Sequence, residues 1–151
     1  MDATLSKLNT RWVIALTLAV GLPFMAAALM TALHLRVLGL GGPDIAITYG
    51  AVIASFLCGL HWGLVLGGRA QATWLLILSN VLCLLAWAGA LLALSGWPQA
   101  ALGVLIAVFL SLLAVDHVLM RRGWLSAAFF RLRVVITCVV VACLIGVAAL
   151  T

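Results

Sequence analysis

Four polar side chains stand within otherwise apolar stretches of the sequence, and these are the residues that could carry chemistry: His61, Asn80, Asp116 and Arg133. A histidine and an aspartate can titrate, and an arginine can hold a carboxylate or a phosphate. Such groups are costly inside a lipid bilayer, so they normally face one another or a wet cavity. We therefore expect the four residues to form one polar layer.

Two interpretations of this polar layer stay open. In the structural one, Asp116 forms an ion pair with Arg133, while Asn80 and His61 donate hydrogen bonds across helices and hold the bundle together. In the functional one, the layer is a pocket open to the cytoplasm that binds an anionic headgroup, a quinone-like ring or a proton. A third and weaker alternative is haem, because His61 and His117 could ligate one iron if they lay at matched depth.

Motifs for common catalytic chemistries are missing from the sequence. There is no Glu, no H-E-x-x-H, no G-x-S-x-G and no P-loop, so hydrolysis and phosphoryl transfer are not indicated. The cysteines, Cys58, Cys83, Cys138 and Cys143, lie in apolar segments without C-x-x-C spacing, which predicts neither a metal site nor a disulfide framework. The sequence favours a protein that is not an enzyme and has no resident cofactor.

The composition of the chain indicates that it is surrounded by lipid rather than water. Of the 151 residues, 68% are hydrophobic and 7% are charged, whereas roughly a quarter of residues are charged in soluble domains. A helix needs about 20 apolar residues to cross a bilayer. Five segments satisfy this length, and we place them at about 12–33, 45–66, 74–94, 100–120 and 134–150. The prediction is an all-α, polytopic membrane bundle that forms a single domain over residues 1–151, with Pro23 bending its first span.

The distribution of Lys and Arg predicts the orientation of the five spans. Cytoplasmic loops carry an excess of basic residues. On one side the sequence has Lys7 and Arg11, then Arg69, then four arginines between 121 and 133, whereas the other side has Arg36 alone. This asymmetry predicts an N-inside, C-outside protein. The net charge of +5 is therefore interpreted as a topology signal rather than a nucleic-acid surface.

Alternating span direction brings the polar residues to a common depth. His61, Asn80 and Asp116 each lie about four to six residues from the cytoplasmic end of their spans, which corresponds to roughly 6 to 9 Å. Arg133 opens the predicted fifth span and could reach the same layer. Their shared depth therefore supports the prediction that the four residues form one polar layer.

A row of small residues on the second span predicts a helix-packing seam. Small residues let helix backbones approach closely in lipid. The seam could pack within the chain, which we favour because four other spans must be held together, or it could bind a second copy or a partner helix. Its members recur every four residues: Ala51, Ser55, Gly59, Gly63 and Gly67.

The sequence resembles the transmembrane protein 69 family, also termed domain of unknown function 3429. The resemblance covers most of the chain and rests on Gly21 to Phe24, on Tyr49 to Gly63, on Asp116 and on Phe129 to Thr137. It implies a multi-helix protein of bacterial inner membranes with mitochondrial relatives, and it implies no activity. The first functional hypothesis is a non-enzymatic interaction or assembly protein of a larger membrane complex, such as a respiratory one. The alternative is binding or transport of a quinone or lipid in the polar pocket.

Overall fold

A computed structural model describes the backbone of residues 3–151 and the side chains from residue 11 onward. This part of the chain forms α-helices joined by short turns. The helices are α1 Ala3–Ala19, α2 Gly21–Ala32, α3 Gly42–Leu66, α4 Thr73–Leu94, α5 Pro98–Arg121 and α6 Ala127–Leu150.

Five stretches of the described helices are long and apolar enough to cross a membrane. The first is Arg11–Ala32, which combines most of α1 with α2, and the others are the four helices α3 to α6. The predicted all-α fold with five spans is confirmed. Its N-inside orientation stays a prediction, and the side chain of Lys7 lies outside the described part of the chain.

The first span breaks where Pro23 predicts a bend. Helix α1 ends at Ala19, and α2 begins at Gly21 after a turn at Val20. Proline has no backbone N–H, and its ring clashes with the carbonyl group four residues earlier, here that of Ala19. The break therefore falls at the carbonyl group that Pro23 cannot bond.

The fifth span starts earlier than the predicted residue 134. Helix α6 begins at Ala127, where the Ser126 side chain accepts a hydrogen bond from the backbone N–H of Phe129 at 3.3 Å. This serine cap satisfies one donor that the first helical turn leaves unpaired. Arg131 and Arg133, predicted to lie in or at the end of the preceding loop, are thus helical residues. The loop shortens to five residues, 122 to 126.

Glycine ends three of the spans in the same way. Gly68, Gly96 and Gly123 each have a positive φ, of 70°, 86° and 73°, directly after the helix cap. In each case the two N–H groups from this glycine onward bond back into the last turn, as Gly123 does to the Met120 carbonyl and Trp124 to the Leu119 carbonyl. Such Schellman turns satisfy carbonyl groups that would otherwise be left at a helix end.

Helix α5 is the most deeply buried span and packs against α3, α4 and α6. Leu102, Leu105, Leu112 and Leu119 on this helix are fully buried. Helix α1 is the opposite case, because nearly all of its described side chains are exposed and the contacts of its described part are with α2 and α6. Five of the six helices therefore form the core, and α1 is attached to its edge.

Candidate functional site

Three of the four predicted polar residues meet inside the bundle. The Arg133 Nε–H donates to Oδ2 of Asp116 at 2.8 Å, and Nε2 of His61 lies 3.1 Å from Oδ1 of the same carboxylate. The three residues are 2% to 5% exposed. We call this group the Asp116 triad. It joins α3, α5 and α6 at a single point.

Helix geometry places the triad at one depth. His61 lies five residues before the end of α3, Asp116 lies five residues before the end of α5, and Arg133 lies six residues after the start of α6. These ends lie on the same side of the bundle because successive spans alternate in direction. The corresponding depth is roughly 7 to 9 Å.

The hydrogen bonds fix the chemistry that the triad can perform. An ionised carboxylate can only accept, so a bond from His61 to the Asp116 carboxylate requires the imidazole tautomer that carries its proton on Nε2. The charge of Asp116 is matched by that of Arg133, so the buried pair is electrically balanced. Nδ1 of His61 is buried and has no hydrogen-bond partner among the described residues. Both carboxylate oxygens of the triad therefore have a hydrogen-bond partner, whereas Nδ1 of His61 has none among the described residues.

Asn80 does not join the triad, contrary to the predicted layer of four. It lies in α4 seven residues after Thr73, near the predicted depth, but its side chain is exposed on the outside of the bundle. The neighbouring Ser79 is the buried residue and donates to the Leu76 carbonyl at 2.9 Å. The rotation of α4 therefore separates Asn80 from the other three residues.

The small-residue seam of α3 also faces outward. Ala51 is partly buried, and Ser55, Gly59, Gly63 and Gly67 are exposed. A Cβ atom added to Gly59 or Gly63 would meet nothing within 4 Å. The favoured interpretation, packing within the chain, is wrong for these two glycines. Ser55 does contact α4, since the Cys83 thiol lies 3.4 Å from its hydroxyl.

The two histidines of the haem alternative lie in different surroundings. His117 is exposed and its ring lies 5.4 Å from that of Phe130, whereas His61 is buried against Asp116. Within the described residues, no group of three His, Cys, Asp or Glu side chains could hold a metal ion. Haem ligation by His61 and His117 stays a prediction.

A groove of about 320 Å³ lies beside the triad, and we call it the α1–α3–α6 groove. Its walls are almost entirely apolar. Arg133 and Thr137 line it one helical turn apart on α6. The remaining lining residues are Val13, Leu16, Thr17, Val20, Ile53, Phe56, Leu57, Leu60, Phe109, Phe129, Ile136 and Val140.

Thr137 is a residue of this groove that the sequence analysis missed. Its hydroxyl is buried and has no hydrogen-bond partner within the described chain. Other helical threonines bond to the carbonyl group four residues earlier, as Thr31 does to Ala27 at 2.9 Å and Thr48 does to Asp44 at 2.7 Å. The signal available in the sequence was its spacing from Arg133, because residues i and i+4 share a helix face.

Comparison with known proteins gives a family and no activity. A search of curated proteins and a search of solved structures found no match. A family model matches residues 9–149, which is almost the entire chain and includes the Asp116 triad, the groove and Asn80. The chain belongs to the family described as Protein of unknown function (DUF3429).

Proposed function

We propose that this membrane protein binds a quinone or a lipid in the α1–α3–α6 groove, with the polar head of the ligand at Arg133 and Thr137. The observation that carries the proposal is Thr137, a residue that is 2% exposed and lines the groove, and whose buried hydroxyl has no hydrogen-bond partner in the described chain. A buried hydroxyl without a partner costs roughly 1 to 3 kcal/mol. A ligand that accepts a hydrogen bond from it would recover that loss.

The charge balance of the triad favours a neutral head for the ligand. Arg133 donates through Nε to Asp116, which neutralises its charge, and no other hydrogen bond of its guanidinium is formed with residues 11–151. The remaining guanidinium N–H groups can donate without needing an anion. A quinone or ester carbonyl group meets this requirement, and the apolar walls suit an isoprenoid or acyl tail.

Helix α1 gives such a ligand a way in from the bilayer. It forms one wall of the groove, its described side chains are nearly all exposed, and it joins α2 at the break at Val20. A wall with few buried contacts opens at a small free-energy cost. A lipophilic ligand could therefore enter sideways without crossing water.

Thermal unfolding of the purified protein in detergent tests the proposal. Decylubiquinone and phosphatidylethanolamine serve as probes, each at increasing concentration, since a ligand that binds the folded state raises the Tm. We expect at least one probe to raise the Tm of the wild type. The increase should be smaller in Thr137→Val, which removes the hydroxyl at nearly constant volume, and absent in Ile53→Trp, which fills the groove.

Thr48→Val is the matched control, because Thr48 is exposed and its hydroxyl is bonded within α3. It should respond to the probes as the wild type does. The proposal fails if neither probe raises the Tm of the wild type. It also fails if the increase is the same in Thr137→Val and Ile53→Trp as in Thr48→Val.

A second candidate function is the docking of this protein onto a larger membrane complex. The resemblance to the transmembrane protein 69 family, with its mitochondrial relatives, suggests a respiratory complex. The observation that favours docking is Asn80, a polar side chain on the outer surface of a span. Recovery of stoichiometric partners from gently solubilised membranes, lost in Asn80→Leu, would support this candidate.

We further propose a bacterial inner membrane as the location, with the triad in the cytoplasmic half. With Arg133 assigned to the core, the basic residues on the proposed cytoplasmic side are Lys7, Arg11, Arg69, Arg121, Arg122 and Arg131. Arg36 is the one on the other side. In intact spheroplasts that contain the protein without its four native cysteines, a membrane-impermeant maleimide should label Ser95→Cys and not Gln71→Cys, at two exposed positions on opposite sides of the membrane. The reverse labelling would overturn the orientation.

A further inference from the structure

A regular stripe of exposed residues runs the whole length of α4 on the outside of the bundle. We call it the α4 outer stripe. All of its members are exposed, and the spacing between them alternates strictly between four and three residues. The members are Thr73, Ile77, Asn80, Leu84, Trp87, Leu91 and Leu94.

This spacing is the one that pairs helices in a left-handed crossing. A repeat of seven residues with apolar positions three and four apart keeps one seam of a helix facing a partner over many turns. The alternation itself follows from the α-helix, in which any one face recurs every three or four residues, and Trp74, Val81 and Leu85 beside the stripe are exposed as well, so it is the polar residue within the stripe that points to a partner. Ile77 and Leu84 are each 62% exposed, so the seam is open along its length.

Asn80 is the polar member of the stripe within the membrane. It lies seven residues after Thr73, at roughly 10 Å from the end of α4, which is too far for its short side chain to reach the headgroup zone. Among the side chains that the structure describes, none forms a hydrogen bond with its amide. Amides of this kind hold membrane helices together when they meet a partner across an interface.

A second copy of the same chain is the partner that fits this amide. Two copies in one membrane share their orientation, so the two-fold axis that relates them runs along the membrane normal. Residues on facing stripes then meet their own counterparts at equal depth. The Asn80 amide carries a positive N–H₂ end and a negative oxygen, and two copies match these partial charges across the axis. The stripe has no formally charged residue that would be repelled by its own copy.

We propose that the α4 outer stripe is the interface of a homodimer in which the two Asn80 amides bond to each other inside the membrane. The interface uses none of the residues that line the α1–α3–α6 groove. Each protomer therefore retains its groove, and the dimer is independent of the ligand-binding proposal.

Disulfide crosslinking in isolated membranes tests the geometry. In a protein whose four cysteines are replaced by alanine, single cysteines are introduced by Ile77→Cys, Leu84→Cys and Leu91→Cys. The control is Leu110→Cys, on the exposed side of α5 and 50% exposed. An oxidant should convert the α4 variants to covalent dimers and leave the control monomeric. Equal crosslinking of the control, or no crosslinking on α4, would overturn the proposal.

Substitution of Asn80 tests the polar contact. Asn80→Leu should raise the dissociation constant of the dimer in detergent by about 3- to 30-fold, the range expected for one interhelical hydrogen-bonded contact in a membrane. Asn80→Gln, which keeps the amide, should remain closer to the wild type. Dissociation constants unchanged by Asn80→Leu, or a different membrane protein crosslinked to the stripe in place of a second copy, would contradict the proposal.

Discussion

Asp116 and Asn80 are polar residues at similar depths in the bundle, and they differ in the side of the helix on which they lie. Asp116 faces inward and receives hydrogen bonds from Arg133 and His61. Asn80 faces outward and is bonded to none of the described side chains. Depth alone therefore does not decide the role of a polar residue in a membrane. An inward group stabilises the fold of one chain, and an outward group can act only on something outside it.

The largest effect that this comparison predicts follows the removal of the Asp116 carboxylate. Asp116→Leu leaves the Arg133 charge buried without its partner, and we expect a loss of about 3 to 5 kcal/mol in the free energy of unfolding. Unfolding by increasing SDS in mixed micelles measures it. The double variant Asp116→Leu with Arg133→Met should recover most of the loss, because it removes both charges. A double variant as unstable as the single one would show that the charges are not coupled.

A smaller loss is expected when the second partner of the carboxylate is removed. His61→Phe keeps an aromatic ring but cannot donate to Asp116, so the variant loses a hydrogen bond to a charged group, worth roughly 1.5 to 3 kcal/mol. The same SDS titration measures the change. His117→Phe is the control, because its ring is exposed next in sequence to Asp116. If His61→Phe and His117→Phe lost the same free energy of unfolding, the proposed difference between inward-facing and outward-facing polar residues would be contradicted.

The same comparison of inward and outward positions can be made with two glycines of α3, Gly42 and Gly59. Gly42 is buried where α2 and α3 touch, and an added Cβ would overlap the Ala27 carbonyl and the Thr31 hydroxyl. We expect Gly42→Ala to lower the free energy of unfolding by roughly 1 to 3 kcal/mol. Gly59→Ala, whose Cβ meets nothing within 4 Å, should be no less stable than the wild type. Equal destabilisation by both substitutions would mean that the outer face of α3 is covered in the folded monomer.

The smallest effect on the monomer is predicted for Asn80. When the ratio of protein to detergent is low enough to separate the protomers, Asn80→Leu should change the free energy of unfolding by less than about 0.5 kcal/mol, as expected for an exposed position. A loss comparable to that of His61→Phe would place Asn80 inside the bundle after all. It would also remove the basis for the α4 outer stripe as an interface.

The spans and the depth of the polar residues could be predicted from the sequence, whereas the faces of the helices could not. In a soluble protein the exposed side of a helix is polar, but here lipid-facing and core-facing residues are both apolar. Leu84, which is exposed, and Leu82, which is buried, are the same residue type two positions apart. The sequence therefore contains little information about helix rotation, and this is why Asn80 and Gly59 were placed on the wrong side.

The start of α6 was misplaced for a related reason. The predicted loop contains Arg131 and ends at Arg133, which opens the predicted span, and charges are costly in lipid. Arg133 is nevertheless helical, because Asp116 compensates its charge inside the bundle, while Arg131 is exposed near the helix end. A charge marks the end of a span only when nothing within the protein pairs with it.

The Asp116 carboxylate bonds to His61 through one oxygen and to Arg133 through the other. These two bonds fix the axial positions of α3, α5 and α6 relative to one another. A shift of α6 along its axis by one turn, about 5.4 Å, would carry the guanidinium out of bonding range, and the same shift of α3 would withdraw the imidazole. Apolar side chains alone would tolerate either displacement far better, since leucine against leucine is much the same one turn away. The Asp116 side chain thus selects one axial register of the three helices from several that apolar packing alone would allow.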